Sequence, residues 1–301
     1  MEYEIGHYVR FLELQNYSKS HLKNARCKLG LLQKFMQTRA ILEVTDITEE
    51  DLLGFMLEVK KRKSNLTGEG LASATVSFYV TYVKNFFRYL KEKNLILVDP
   101  SKKLRFARRG VKLPRGYFTE KEMQSILKAI DINEILGIRD RALLELLYST
   151  GLRSQEILSL NVEDVDFAKE LVFVGFGKGG KERMTPVGKH ALFWVAHYLE
   201  NARSKILRGK EVPGLFVSLN RKIMENYHLN QRIRIYKAKA GVGKIGGAHL
   251  FRHSCATHML QHGADIRYVQ EMLGHERIST TSVYTKVSLV HLKEAYHKVF
   301  A

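Results

Sequence analysis

The amino-acid sequence predicts a mainly α-helical protein with one small antiparallel β-sheet, arranged as two domains. Three observations predict it. Apolar residues recur at three- and four-residue steps over most of the first hundred positions, and helical patterning resumes beyond residue 187. A single stretch, Val165 to Val187, reads as strands joined by tight turns. The chain has 301 residues, about twice the length of a usual single domain.

The first domain is expected over residues 1–101 as a helical bundle. Ser20 can cap a helix in which Leu22, Ala25, Leu29, Leu32 and Met36 form one stripe, with Lys23, Arg26, Lys28 and Lys34 kept off it. Thr48, followed by the acids Glu49, Glu50 and Asp51, opens a second helix that runs to about Lys60. After the polar loop Lys63 to Gly70, a third helix places Val76, Val80, Val83, Phe87 and Leu90 on one face beside Lys84 and Arg88. Asp99-Pro100 stops the regular pattern. Residues 102–115 then carry Lys102, Lys103, Arg105, Arg108, Arg109, Lys112 and Arg115 among scattered apolar side chains, the composition of an interdomain linker.

The second domain is expected over residues 116–301 and opens with a strong helix signal. Thr119 can accept from the Glu122 amide while Glu122 returns to the Thr119 amide, and Phe118 can pack on Met123 as a hydrophobic staple. Arg141 to Tyr148 is apolar enough for a buried helix, ended by Thr150-Gly151. The strands are Val165 to Phe167, Leu171 to Phe176 and Glu182 to Val187, with turns at Ala168 to Glu170 and Gly177 to Gly180. The remainder is helical, without internal repeats or low-complexity tracts.

Charge narrows the function classes. The 49 Lys and Arg against 31 Asp and Glu give +18, with a pI of 9.8. Such an excess repels itself unless a polyanion is the usual partner. Nucleic acid leads, because neutralising phosphates releases condensed counterions, whereas a membrane-surface protein concentrates its cations in one helix or tail. Here they are spread along the chain, including the 102–115 stretch, which is expected to lie along phosphates. No run approaches the roughly 20 apolar residues of a membrane-spanning helix. The opening Met1-Glu2-Tyr3-Glu4-Ile5 carries acids where a secretory signal would be basic, and Cys27 and Cys255 form no Cys-x-x-Cys pair. A cytoplasmic protein is expected. Charge does not separate DNA from RNA, or an enzyme from a passive binder.

Four local signals lie in the second domain. Thr150-Gly151-Leu152-Arg153-Ser154-Gln155-Glu156 sets an arginine just past a glycine break with an acid three residues on, which can equally be a surface ion pair. Gly177-Lys178-Gly179-Gly180-Lys181 sits at a hairpin tip, where glycines serve the turn and lysines solvate it; it lacks the order of a phosphate-binding P-loop. His249-Leu250-Phe251-Arg252-His253 is followed by His258 and His262, giving two i, i+4 histidine pairs. A metal reading is disfavoured, since no glutamate follows His249 and the Arg252 cation would oppose a divalent ion. The fourth is Leu273-Gly274-His275, with Tyr284 nine residues later. One tyrosine among 14 is ordinarily a packing residue.

Read together, these pieces resemble the tyrosine recombinase and phage integrase family, most closely its Xer branch, over nearly the whole chain. The matching stretches are Ile138 to Leu144 running into Thr150 to Glu156, Gly177 to Arg183, His249 to His253, then Leu273-Gly274-His275 and Tyr284. The resemblance implies a helical core-binding domain of SAM-like fold followed by the family's catalytic domain. It implies Arg153, Lys178, His249, Arg252 and His275 as activating residues, Tyr284 as nucleophile, and Glu156 as the supporting acid. Gln155 stands where the Xer pattern has serine. Site-specific recombination through a 3′-phosphotyrosine and a Holliday junction would follow, serving chromosome-dimer resolution or mobile-element integration and excision. The implied partners are duplex DNA with paired half-sites and a ring of four subunits on two sites, alone or with a related recombinase or accessory protein, in a nucleoid-associated setting. In the family the segment 289–301 would pass to a neighbouring protomer. No cofactor and no metal are implied.

The residue types suit the chemistry. Two arginine forks can bind the nonbridging oxygens of a phosphodiester as its pentacovalent transition state gathers charge. A tyrosine with an ordinary pKa of about 10 needs a cationic pocket or a base such as His249 to attack at neutral pH. Lys178 can protonate the leaving 5′ oxygen, and His275 can donate to the phosphate. Lys23, Lys28, Lys84, Arg88 and Lys112 are candidate phosphate contacts, or solvated helix faces. Three rival readings stay open: a type IB topoisomerase, a non-catalytic regulator using His253 to Leu273 as a helix-turn-helix broken at Gly263, and a metal-dependent hydrolase.

Overall fold

The computed structural model describes residues 1–63, 68–105, 116–175 and 182–274. Lys112, Lys178, His275, Tyr284, most of the 102–115 stretch, the hairpin tip and the segment 289–301 lie outside the described residues. The chain divides into two compact units, residues 1–113 and 114–301.

The first unit is built from α1 (Glu2–Leu14), α2 (Lys19–Gln37), α3 (Glu49–Lys61) and α4 (Ser73–Glu92). Helix α1 was not expected, although its signal is plain: Glu2 and Glu4 sit in the first turn, and Ile5, Tyr8, Val9 and Leu12 are its buried residues. The cap of α2 is Ser18 in place of Ser20. A capping residue needs a non-helical backbone, and Ser18 has ψ 148 while its side chain accepts from the His21 amide at 3.2 Å. All five residues of the expected α2 stripe are buried. Helix α3 starts from Thr48 with a full capping box to Asp51. On α4, Val80, Val83, Phe87 and Leu90 are buried with Phe86, and they join the α1, α2 and α3 stripes in one core. Leu104 belongs to that core too, and the Lys84 ammonium donates to the Lys102 and Leu104 carbonyls at 3.1 and 3.0 Å. The beginning of the basic stretch therefore packs on the first unit.

In the second unit, α5 (Glu120–Lys128) carries the Thr119–Glu122 capping box, with the Thr119 amide 2.7 Å from the Glu122 carboxylate. Helix α6 (Ile135–Thr150) is buried on nearly all faces through Ala142, Leu143, Leu144, Leu146 and Leu147, which makes it the central element of its core. It ends at Gly151, followed by α7 (Ser154–Ser159). Strands β1 (Val165–Asp166), β2 (Leu171–Val174) and β3 (Arg183–Pro186) form an antiparallel sheet in the order β1-β2-β3, with Leu171 opposite Pro186 and Val174 opposite Arg183. Then come α8 (Lys189–Tyr198), a wider turn at Leu199–Arg203, α9 (Ser204–Leu207) and α10 (Asn226–Lys239). Helices α11 (Ala248–Gln261) and α12 (Ile266–Leu273) are joined by a bend in which Gly263 has φ +86. Cys255, Met259, Val269, Met272 and Leu273 bury against one another between them. Among the described residues no helix is long and apolar enough to cross a membrane.

Candidate active site

The site is assembled where α6 ends. Gly151 has φ +59, and a Cβ placed there would stand 2.7 Å from Leu273 Cδ2, so a glycine both turns the chain and lets α12 approach. Arg153, two residues on, precedes α7, and its backbone amide donates to Glu156 Oε2 at 2.9 Å. The Arg153 guanidinium reaches Glu156 Oε1 through Nη1 at 2.7 Å.

Glu156 is buried, with 2% of its side chain exposed, and one arginine does not saturate it. The second comes from β3: Arg183 Nη2 donates to Oε2 at 2.8 Å and Nη1 to Oε1 at 3.2 Å. Burial alone would raise the carboxyl's pKa. Hydrogen bonds from Arg183 and the Arg153 amide, with the Arg183 charge, overcome that penalty and pull it down to about 2.

The C-terminal end of α12 completes the cluster. Its last carbonyls lack intrahelical partners and carry the negative end of the helix dipole. Three successive ones each accept from a different arginine: Met272 from Arg183 Nε at 3.1 Å, Leu273 from Arg252 Nη2 at 2.7 Å, and Gly274 from Arg153 Nη2 at 3.0 Å. Arg252 Nη1 also donates to the Gly151 carbonyl at 2.8 Å, which ties α11 to the end of α6. Burial, then repulsion from Arg153, lowers the Arg252 pKa to about 10, so it remains a cation at neutral pH. Gly274 takes φ +65 to end α12, and a Cβ there would lie 3.2 Å from the Arg183 guanidinium.

The structure therefore brings together Arg153, Glu156 and Arg252 from segments about a hundred residues apart in sequence. Three guanidinium groups face one carboxylate. The Arg153 side chain is 29% exposed, so part of this excess positive charge faces solvent, an arrangement suited to an anion with several oxygens. His249 lies exposed in the first turn of α11, one turn before Arg252. Arg183 was missed as a site residue by sequence reasoning. Its signal was a lone arginine opening a strand that must pack on one face, where a half-buried cation requires an acid from elsewhere.

The remaining histidines have separate partners. His253 packs edge-on to Tyr117, the His258 Nδ1 meets the Tyr148 hydroxyl at 2.7 Å, and His262 meets Glu120 at 2.7 Å. Among the described residues, no group of three or more His, Cys, Asp or Glu is placed to hold a metal ion. In the first unit Lys23 and Arg88 are exposed, while the Lys28 ammonium sits 5.1 Å from the Tyr79 ring centroid. The Lys84 ammonium, as described, rests on two backbone carbonyls.

Comparison with known proteins identifies the family. The model of the phage integrase family matches residues 116–290. Tyrosine recombinase XerC 2 of Ralstonia nicotianae is 35% identical over 292 residues, covering 97% of this chain and 83% of that protein. Tyrosine recombinase XerD of Pseudomonas putida is 36% identical over 228 residues, 76% of each. A solved XerH site-specific recombinase, bound to palindromic difH substrate in a post-cleavage complex, has the same fold with a TM-score of 0.69 at 23% identity, over 93% of this chain and 80% of that one. A family match over most of the second unit, and relatives that extend it through the first, make this chain a member of the phage integrase family of tyrosine recombinases.

Proposed function

We propose that this site-specific recombinase cuts and rejoins duplex DNA with Tyr284 as nucleophile and Arg153 and Arg252 as the phosphate-binding pair. The observation that carries the reading is the cluster of three guanidinium groups around Glu156, open to solvent at Arg153. A phosphodiester repels an anionic nucleophile, and fixed donors aimed at its nonbridging oxygens gain strength as charge develops in the transition state. The Tyr284 oxygen attacks phosphorus, the bond to the 5′ oxygen breaks, and a 3′-phosphotyrosine forms. The phenol's proton passes to His249 or solvent, Lys178 protonates the departing 5′ oxygen, and His275 donates to the phosphate.

The new ester conserves the energy of the broken one. A 5′-hydroxyl from a second duplex can then reverse the step, so breaking and rejoining are one reaction run twice. Paired half-sites on two duplexes, four copies of the chain and a Holliday-junction intermediate complete the proposal, with Lys23 and Arg88 of the first unit contacting phosphates.

The test uses duplexes selected from random sequence by binding to the wild-type protein, then nicked near the symmetric centre. The wild type should form a covalent adduct that survives denaturant, and Tyr284→Phe should form none. An adduct in that variant overturns the assignment. Exchange of strands between two differently labelled duplexes separates recombination from simple relaxation.

A further inference from the structure

Arg183 makes three hydrogen bonds at once. Two of its nitrogens take both oxygens of Glu156, and its third takes the Met272 carbonyl. Its side chain is only 14% exposed and all three nitrogens are engaged internally, so it has no free fork to offer a substrate phosphate. Consider the cluster without it. Glu156 would have Arg153 as its only hydrogen-bonded side-chain cation, and a lone buried carboxylate draws an arginine into a bidentate pair that consumes its donors and cancels its charge. With Arg183 occupying Glu156 from β3, Arg153 gives the acid one side-chain nitrogen, spends another on the Gly274 carbonyl, and keeps its exposed edge. Arg183 also joins the end of α12, immediately before His275 in sequence, to the same acid.

We propose, resting on the reading of the preceding subsection, that Arg183 is a positioning residue for DNA cleavage: it holds Glu156 and the end of α12 so that Arg153 faces the phosphate with its charge uncancelled. It acts through Arg153 and Glu156 and does not itself touch the substrate. A plain brace would stabilise the fold without affecting how cleavage responds to pH. A positioning role makes a different demand, because the groups facing Glu156 are Arg153, Arg183 and Arg252, and loss of Arg183 lets the carboxyl titrate closer to its ordinary range.

The experiment measures single-turnover adduct formation on the selected, nicked duplex from pH 5 to 8, with DNA affinity by gel shift and thermal melts alongside, for wild type, Arg183→Met and Arg183→Lys. Arg183→Met should slow cleavage at saturating DNA by about 10- to 100-fold, the scale of a misplaced reactive group. Its DNA affinity should change by less than about threefold, a sign that binding in the ground state is spared. The deficit should be largest near neutral pH and lessen as pH falls toward 5, where protonation of Glu156 releases Arg153, and Arg183→Lys should restore part of the rate and flatten the profile. A wild-type rate in Arg183→Met overturns the proposal, as does a deficit equal at every pH and matched by weaker DNA binding. If Arg183→Met does not fold, Arg183→Lys decides: a wild-type rate and profile there overturns it. Failure of the wild type to form any adduct would strike the preceding reading, leaving the two outcomes distinct.

Discussion

Two buried carboxylates in the second unit look alike and do different things. Asp140, fully buried, is gripped by Arg139 through Nε and Nη2 at 2.9 and 2.7 Å, by the Tyr236 hydroxyl at 2.7 Å, and by Arg232 at 3.3 Å. Its main partner is the adjacent residue in the chain, 3% exposed, whose remaining nitrogen donates to the Val217 carbonyl. That pair closes on itself and fastens α6 to α10. Glu156 is just as deeply buried, yet its arginines come from α7's start and β3, with Arg252 of α11 beside them, and they rest on a helix's last carbonyls. Burial of an acid with arginines is thus not by itself a sign of a site. The surplus of cations, and an arginine whose edge reaches solvent, mark the second cluster.

The comparison predicts opposite phenotypes. Asp140→Ala leaves Arg139 buried without its counter-charge and should cost about 3–5 kcal/mol, read as a lowered denaturant midpoint, while the molecules that remain folded keep their cleavage rate. Arg252→Ala should do the reverse in emphasis. Losing one preorganised donor to a developing charge costs on the order of 10²- to 10³-fold in rate, measured as adduct formation at saturating DNA. Equal losses of rate in the two variants would erase the distinction between the clusters.

Glu156 supplies a sharper version through pH. Its carboxyl is held near 2 in the folded chain, well below the ordinary value of about 4.3. A depressed carboxylate contributes stability that is complete above the unfolded-state pKa and fades as pH falls through the folded one. The stability difference between wild type and Glu156→Gln should therefore be constant from pH 7 to about 5 and shrink from about 4.5 toward 2. A gap that widens on acidification would mean that Glu156 is not held ionised by its arginines.

How much of this was legible beforehand follows from which interactions are local. The α2 stripe, the Thr48 cap, the Thr119–Glu122 capping box, the three strands and the glycine break at Gly151 were readable because each is decided within a few residues. Helix α1 carried the same kind of signal and was overlooked, and the cap of α2 slid by two positions because Ser18 and Ser20 satisfy the same pattern. Arg153, Glu156 and Arg252 were named through the order of several weak motifs, which together carry long-range information that no single window holds. Arg183 closes the matching stretch Gly177 to Arg183, yet nothing in that stretch assigns it a role. Its role depends on the Met272 carbonyl, 89 positions away, and on an acid 27 positions before it. Helix-end carbonyls are invisible in a sequence, since every residue has one.

Gly151→Ala tests whether the backbone at the end of α6 belongs to the site. The left-handed conformation costs a residue with a Cβ about 1–2 kcal/mol, and the added carbon would press on Leu273. Because the Gly151 and Leu273 carbonyls are the two acceptors of Arg252, the same change should slow cleavage by more than the lost stability explains. A variant that loses stability and retains full activity would assign this glycine to the fold alone.

The smallest expected effect is the most discriminating. Arg153 and Arg232 are rim arginines of equal exposure, 29% each, one on each buried carboxylate. Composition, burial and partner type do not separate them. Geometry does: Arg153 stands at 2.7 Å from its acid with a second donor on the Gly274 carbonyl, while Arg232 approaches at 3.3 Å an acid already satisfied by Arg139 and Tyr236. Arg232→Gln should therefore cost no more than about 1 kcal/mol, the range of a partly solvated ion pair, and leave adduct formation unchanged. Arg153→Gln, an identical substitution at identical exposure, should reduce the rate on the order of 10²-fold or more. Parallel losses in both variants would show that cleavage responds to net positive charge in general, and that the cluster at Glu156 has no special place in it.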